Sequence, residues 1–152
     1  MRIITKNEKE TAALAKKIAA RLKGGEVLAL VGELGSGKTT FTQALAKALG
    51  VKARVSSPTF TILKVYRAGH AAIKSLVHID AYRLRRAADL AALGWDDYLR
   101  ADSVAVVEWA DRVKRALPRR ASTIRFQTVG KNKRRISCAL TSKFFQRQSG
   151  QS

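Results

Sequence analysis

Apolar positions repeat along this chain in two different rhythms. Leu14, Ile18 and Leu22 recur every four residues among alanines and lysines and stop at Gly24-Gly25, the pattern of an amphipathic helix with one buried stripe. Thr5 and Glu8 stand where a capping box would open that helix. Residues 26–31, EVLALV, are short, apolar and bounded by glycine, which predicts a buried strand. From Lys38 to Leu49 the helical rhythm returns, with Phe41, Leu45 and Leu49 on one face and Gly50 as the stop. Pro58 forces Ser57 out of helical geometry, so the stretch opening at Val55 begins as a loop, and alternation through Phe60, Ile62 and Val65 predicts a strand. Two further apolar runs, 76–79 and 104–107, each end on a carboxylate, Asp80 and Glu108. Between them lies a segment of helical composition broken at Gly94, and STIRFQTVGKNKRRISCALT reads as two strands about a Gly130-Lys131-Asn132 turn. RAGHAAIKS, ahead of Asp80, reads as a hairpin tip. Together these elements predict one α/β domain over residues 1–142, a mainly parallel central sheet with flanking helices and some antiparallel strands, and a disordered tail over 143–152.

The first strand runs into Gly32-Glu33-Leu34-Gly35-Ser36-Gly37-Lys38-Thr39, which satisfies G-x-x-x-x-G-K-[ST] at every position. Glycines at these places let the backbone curl so that its N–H groups converge on phosphate oxygens, and the helix that follows adds the positive end of its dipole. Lys38 is placed to reach the β- and γ-phosphates of a nucleotide, and the Thr39 hydroxyl to ligate Mg²⁺. The strand before and the helix after are the context this motif needs, so the fold expected is that of a P-loop NTPase. If 27–31, 76–79 and 104–107 are parallel neighbours, Asp80 and Glu108 emerge at the same sheet edge as the loop. One acid would then hold the metal, directly or through water, and the other would orient the attacking water; which does which stays open.

Composition adds one unusual fact. The 46% apolar and 27% charged fractions are ordinary, and no apolar run approaches the roughly 18–20 residues of a membrane span. The N-terminus turns charged too soon for a signal peptide, and one cysteine, Cys138, excludes an internal disulfide framework, so a reducing cytoplasmic setting is expected. Cys138 itself reads as a small core residue. The charge is different: 30 Lys and Arg against 11 Asp and Glu give +19, with dense groups at Arg83–Arg86, Pro118–Arg120 and Lys131–Arg135. Such a surface steers polyanions, so RNA, or a protein that works on RNA, becomes a candidate neighbour beside the plainer reading of a general basic bias.

GELGSGKTTF, SPTFTI, HIDAYRL, LGWDDYL and VVEWADR, in this order, resemble the bacterial TsaE (YjeE) family over about Gly32 to Arg112. The resemblance implies an ATPase of tRNA threonylcarbamoyladenosine biosynthesis that supports, without performing, the transfer by a TsaB–TsaD complex. It implies ATP and Mg²⁺ as cofactors and leaves direct contact with tRNA open. Residue by residue, Glu33, Leu34, Gly35, Ser36, Gly37, Lys38, Thr39 and Thr40 match the family's Walker A region, and Trp109 would pack near the nucleotide. Thr59, in Ser57–Phe60, matches a switch-like loop, and Asp80 with Tyr82 and Arg83 matches a second switch segment. Glu108-Trp109 matches a Walker B-like strand end. The catalytic set implied is Lys38, Asp80 and Glu108; the metal set is Thr39, Asp80 and Glu108.

Three other readings compete. A GTPase needs an N-K-x-D motif, yet Asn132-Lys133 is followed by Arg134-Arg135. A small-molecule kinase would draw on Arg83, Arg85 and Arg86 as an arginine-bearing lid. A basic nucleic-acid-binding module would interleave aromatics with its cations as stacking platforms, and the basic groups here contain almost none.

Overall fold

The computed structural model describes residues 1–56 and 61–139. Its seven-stranded sheet comprises β1 (Arg2–Thr5), β2 (Val27–Gly32), β3 (Leu63–Arg67), β4 (Ser75–Asp80), β5 (Ser103–Glu108), β6 (Ser122–Thr128) and β7 (Arg134–Ala139), in the spatial order β1-β7-β6-β2-β5-β4-β3. The four central strands β6, β2, β5 and β4 run parallel, and the outer pairs β1–β7, β7–β6 and β4–β3 are antiparallel. This is the mainly parallel α/β sheet expected, with one refinement: β5 lies between β2 and β4, so these two are not direct neighbours.

The buried run in β5, with every residue inaccessible, follows from its central place, since a parallel strand covered on both faces has no polar side to present. One face of the sheet packs on α1 (Glu8–Ala19) and α2 (Lys38–Ala48), through Leu14, Ile18, Phe41 and Leu45 against Leu28, Leu30, Val106 and Ile124. The other face of its central part is closed by α3 (Ala87–Ala91) and the 3₁₀ segments Trp95–Tyr98 and Ala110–Ala116, with Leu90, Trp95 and Val113 over Ala29, Val77 and Val107. The helical stretch breaks at Gly94, in the left-handed region at φ 65°, as its position suggested.

Two expectations need correction. The cap of α1 is Asn7, not Thr5: Asn7 Oδ1 accepts from Glu10 N at 2.8 Å, and Glu10 Oε2 accepts from Lys6 N at 2.7 Å. Thr5 instead ends β1, a strand too short to show periodicity, where its buried hydroxyl meets that of Thr11 at 2.9 Å. Along β3 it is Tyr66 that enters the core, whereas Val65 is 43% exposed, because this edge strand has cover on one side only at that point. Phe60, and the 143–152 tail, lie outside the described residues.

The hairpins fall where the sequence placed them. Residues 68–74 join β3 to β4, and 129–133 join β6 to β7. Cys138 is a buried core residue of β7, and burial pushes its thiol up to about 11. Among the described residues, no helix is long and apolar enough to cross a membrane.

Candidate functional site

β2 delivers the chain into the glycine-rich loop at Gly32, where any side chain would collide: an added Cβ would lie 2.6 Å from Phe126 O and 2.7 Å from Ser36 Oγ. The loop closes on itself through Ser36 N, which donates to Glu33 O at 3.1 Å. It re-enters helix at Gly37, whose φ of 102° belongs to glycine. The first turn of α2 therefore presents main-chain N–H groups without helical acceptors, next to a backbone curl. Lys38, only 5% exposed, folds back into this curl: Nζ donates to Gly32 O at 2.5 Å and Glu33 O at 2.8 Å, with Ser36 Oγ at 3.4 Å. Burial lowers its pKa; Glu108, Asp111, Asp80 and Glu33 oppose that shift without cancelling it.

The two strand-end acids meet on one rung. Asp80 of β4 pairs with Glu108 of β5, and Glu108 pairs on its other side with Leu30 of β2. Parallel strands lie about 4.8 Å apart, so the acids are adjacent at the sheet edge from which the loop departs. Their surroundings differ. Glu108 is 2% exposed, and its Oε1 accepts from Thr42 Oγ1 at 3.1 Å on the inner face of α2. His78, fully buried, brings Nε2 to 3.4 Å from the same oxygen, outside hydrogen-bonding geometry, and neither ring nitrogen has a hydrogen-bond partner among the described residues. Asp80 is half-buried, and its Oδ1 accepts from Tyr82 N at 3.0 Å.

Directly after Glu108 the backbone turns through Trp109 at φ 58°, the one non-glycine residue with positive φ among those described. A left-handed conformation costs an L-residue about 1–2 kcal/mol. Here the ring is held by neighbours on several sides: Lys38 Nζ lies 4.1 Å from its centroid, Tyr82 stacks obliquely at 5.0 Å, and the Arg112 guanidinium stands 5.6 Å away. The strain thus aims an aromatic ring at the loop lysine.

These groups line a cleft of about 720 Å³, within the range of small-molecule sites. Leu34, Gly35, Ser36, Gly37, Lys38, Thr39, Thr40, Asp80, Tyr82, Glu108 and Trp109 all face it. Glu33 takes part through its carbonyl on Lys38. Arg83 is exposed and does not line the cleft, and Arg85 and Arg86 are likewise exposed and outside it, so no arginine lid forms over it from this segment. Thr59 lies outside the described residues. The cleft also contains residues that the motifs did not identify: Asn7 and Thr11 from the start of α1, and Asn132 and Arg134 from the β6–β7 hairpin. Arg134 Nη2 donates to Gly35 O at 3.0 Å, tying the hairpin to the loop. Only the Gly130-Lys131-Asn132 turn hinted at this in the sequence, since the approach depends on the strand order.

Beside the loop the donor set is the two strand-end carboxylates and the hydroxyl of Thr39; a third acid of the cleft, Glu8, is exposed at the start of α1. Among the described residues there is no cluster of three or more His, Cys, Asp or Glu suited to a metal, so a cage built wholly from protein ligands is not present. A hard cation that shares its shell with water and phosphate oxygens, as Mg²⁺ does, fits this set.

The family model described as "Threonylcarbamoyl adenosine biosynthesis protein TsaE" matches residues 5–136. A Bacillus subtilis protein named "tRNA threonylcarbamoyladenosine biosynthesis protein TsaE" is 42% identical over 133 residues, covering 88% of this chain and 81% of that one. A Treponema pallidum protein of the same name is 34% identical over 139 residues, covering 91% of this chain and 100% of its own. Among solved structures, that of Bacillus subtilis YdiB superposes with a TM-score of 0.74 at 36% identity, over 95% of this chain and 88% of that one. With a matched span running from the end of β1 into β7, the chain belongs to the TsaE family of threonylcarbamoyladenosine biosynthesis proteins.

Proposed function

We propose that the chain binds and hydrolyses ATP within the machinery that makes threonylcarbamoyladenosine in tRNA, acting on a TsaB–TsaD-like transferase complex. The observation that carries this reading is the shared rung of Asp80 and Glu108 at the mouth of the 32–39 loop, two acids of unlike burial facing one cleft. The loop and the first turn of α2 would receive the β- and γ-phosphates, and Lys38 would leave the carbonyls of Gly32 and Glu33 for the phosphate oxygens. Moving a partly desolvated ammonium from neutral carbonyls to phosphate strengthens its pairing, which favours the nucleotide-bound loop.

Thr39, Asp80 and Glu108 would hold Mg²⁺, which when bound neutralises charge on the transferring phosphoryl group. Glu108, fixed by Thr42, has the rigid placement needed to hold a ligand or water in one orientation. Asp80, more accessible, is better placed to receive the proton of the attacking water. Trp109 and Tyr82 wall the cleft and restrict bulk water near the lysine.

The test is a reconstitution of tRNA modification by the transferase pair over many cycles, with and without this chain. Lys38→Ala should abolish ATP turnover and multi-cycle modification while thermal unfolding remains cooperative. Unchanged turnover in a folded Lys38→Ala protein would remove the loop from the chemistry.

A further inference from the structure

The positive charge is not spread evenly. After Asp111 the remaining 41 residues contain 12 Lys and Arg and no carboxylate side chain. This stretch supplies β6 and β7, which with β1 form the antiparallel flank of the sheet. Alternation sorts that flank into two faces. Ile3, Ile124, Phe126, Ile136 and Cys138 point towards α1 and α2. The other face carries two cross-strand rows set by the register: Arg2–Ser137–Arg125 and Ile4–Arg135–Gln127. Arg2, Ile4, Arg125 and Gln127 are exposed and Arg135 and Ser137 half-exposed, so among the described residues nothing closes this face as α3 closes the sheet centre.

We propose that this face of β1–β7–β6 is a docking surface for the phosphodiester backbone of RNA. None of the three strands contains Asp or Glu, so the guanidinium groups there have no carboxylate within their own rows. Within the rows the neighbour is neutral: Arg135 Nη1 donates to Gln127 Oε1 at 3.2 Å. Strands about 4.8 Å apart and rows about 7 Å apart put three guanidinium-bearing positions within roughly 10 Å. Each strand of a nucleic-acid duplex carries a phosphate for about every 3.4 Å of helix axis, so a cluster of this breadth spans several and the three arginines can engage neighbouring phosphates.

A protein partner fits less well. Protein interfaces set their aromatic and arginine anchors in a desolvated, largely apolar centre, and around its arginines this face offers one exposed large apolar side chain, Ile4, and no aromatic ring. The same lack of rings speaks against base stacking and against insertion into a lipid interface. What remains is charge and hydrogen bonding suited to a backbone, without sequence readout. Because β6 runs parallel to β2, the 129–133 turn lies at the cleft edge, where Asn132 and Arg134 already line the cavity. RNA on this face would thus reach the rim of the nucleotide site. The choice of tRNA as the probe rests on the proposed function; the charge argument does not.

The test measures binding of unmodified tRNA by fluorescence anisotropy between 50 and 200 mM salt, for the full chain and two variants of equal charge change. One removes the face (Arg2→Gln, Arg125→Gln, Arg135→Gln); the other removes exposed lysines from α1 and α2 on the opposite side (Lys16→Gln, Lys17→Gln, Lys47→Gln). The face variant should bind at least about tenfold more weakly at 50 mM salt, with a salt slope shallower by about two to three units, while the lysine variant stays within about twofold. ATP turnover should be unchanged in both, and thermal unfolding verifies that each is folded. Equal losses in the two variants would reduce the effect to diffuse charge and overturn the proposal, as would no binding by the wild type at low salt. Face-dependent binding to polyglutamate or to vesicles of anionic lipid, with tRNA binding unaffected, would also overturn it. If tRNA binding fails while Lys38-dependent turnover persists, the RNA surface falls and the ATPase reading stands.

Discussion

Replacing Thr42 with valine tests whether Glu108 is held for chemistry. The Thr42 hydroxyl has one proton and two acceptors in reach, Lys38 O at 2.9 Å and Glu108 Oε1 at 3.1 Å. The helix carbonyl already has its own acceptor role in the ladder of α2, so the carboxylate is the partner that depends on the hydroxyl. Valine keeps the volume and removes the donor. A hydrogen bond to a charged group contributes about 1.5–3 kcal/mol, and its loss here leaves an almost inaccessible carboxylate less satisfied. For a chain of this size each kcal/mol moves Tm by about 2–4 °C, so Thr42→Val should melt about 3–12 °C lower. Thr42→Ser retains the hydroxyl and loses one buried methyl, about 0.8 kcal/mol, and should melt only about 2–3 °C lower. Calorimetry gives the stability, and steady-state ATP turnover gives the function: kcat should fall in the valine variant and survive in the serine variant. Equal Tm losses in both, with kcat equal to wild type, would refute the claim that this hydroxyl positions Glu108.

Three further outcomes follow from the geometry. Asp80→Asn and Glu108→Gln should each lower kcat by at least about tenfold while changing nucleotide affinity less, measured by single-turnover hydrolysis beside equilibrium binding; a pure affinity defect would take that acid out of the chemistry. Of the two tryptophans, Trp95 is buried in the core and Trp109 sits 4.1 Å from Lys38 Nζ, so ATP should change the intrinsic emission through Trp109 alone, and Trp109→Phe should abolish the change. For Cys138 the folded thiol stays protonated up to about 11 against an ordinary value of 9.0. The unfolded chain therefore loses its proton first, and stability should decline as pH rises from about 9 towards 11; urea midpoints across that window should decline less in Cys138→Ala.

The legible parts of this molecule are those whose physics is local. A glycine-rich loop between an apolar strand and an amphipathic helix announces itself, because the backbone geometry it needs leaves few residue choices at Gly32 and Gly37. The carboxylates ending 76–79 and 104–107 were visible for the same reason, and parallel strands then put both at one edge. What was hidden depended on long-range pairing. β1 is four residues long and is a strand only because β7 lies beside it, and once it forms, Thr5 is drawn into the sheet and Asn7 becomes the cap. Val65 and Tyr66 are equally apolar in pattern, and only the edge position of β3 decides which is covered. Asn7, Thr11, Asn132 and Arg134 join the cleft because strand order places the start of α1 and a distant hairpin beside the loop. The two exposed arginine rows were present in the sequence as scattered charge and became a face only through the register of three strands.

The position of β5 has a consequence in time as well as in space. Its amides are shared with β2 on one side and β4 on the other, and all six of its residues are buried. Such a strand exchanges its amide protons through global unfolding, whereas short edge elements and hairpin tips open in small, frequent excursions. Glu108 is therefore carried by the slowest-exchanging part of the molecule, while Asn132 approaches the same cleft from the 129–133 surface turn, ahead of Arg134 at the start of β7. The cleft thus sets a wall that exchanges only with the whole fold beside a hairpin tip of the kind that opens locally, so protection measured along the chain should differ sharply between its two sides.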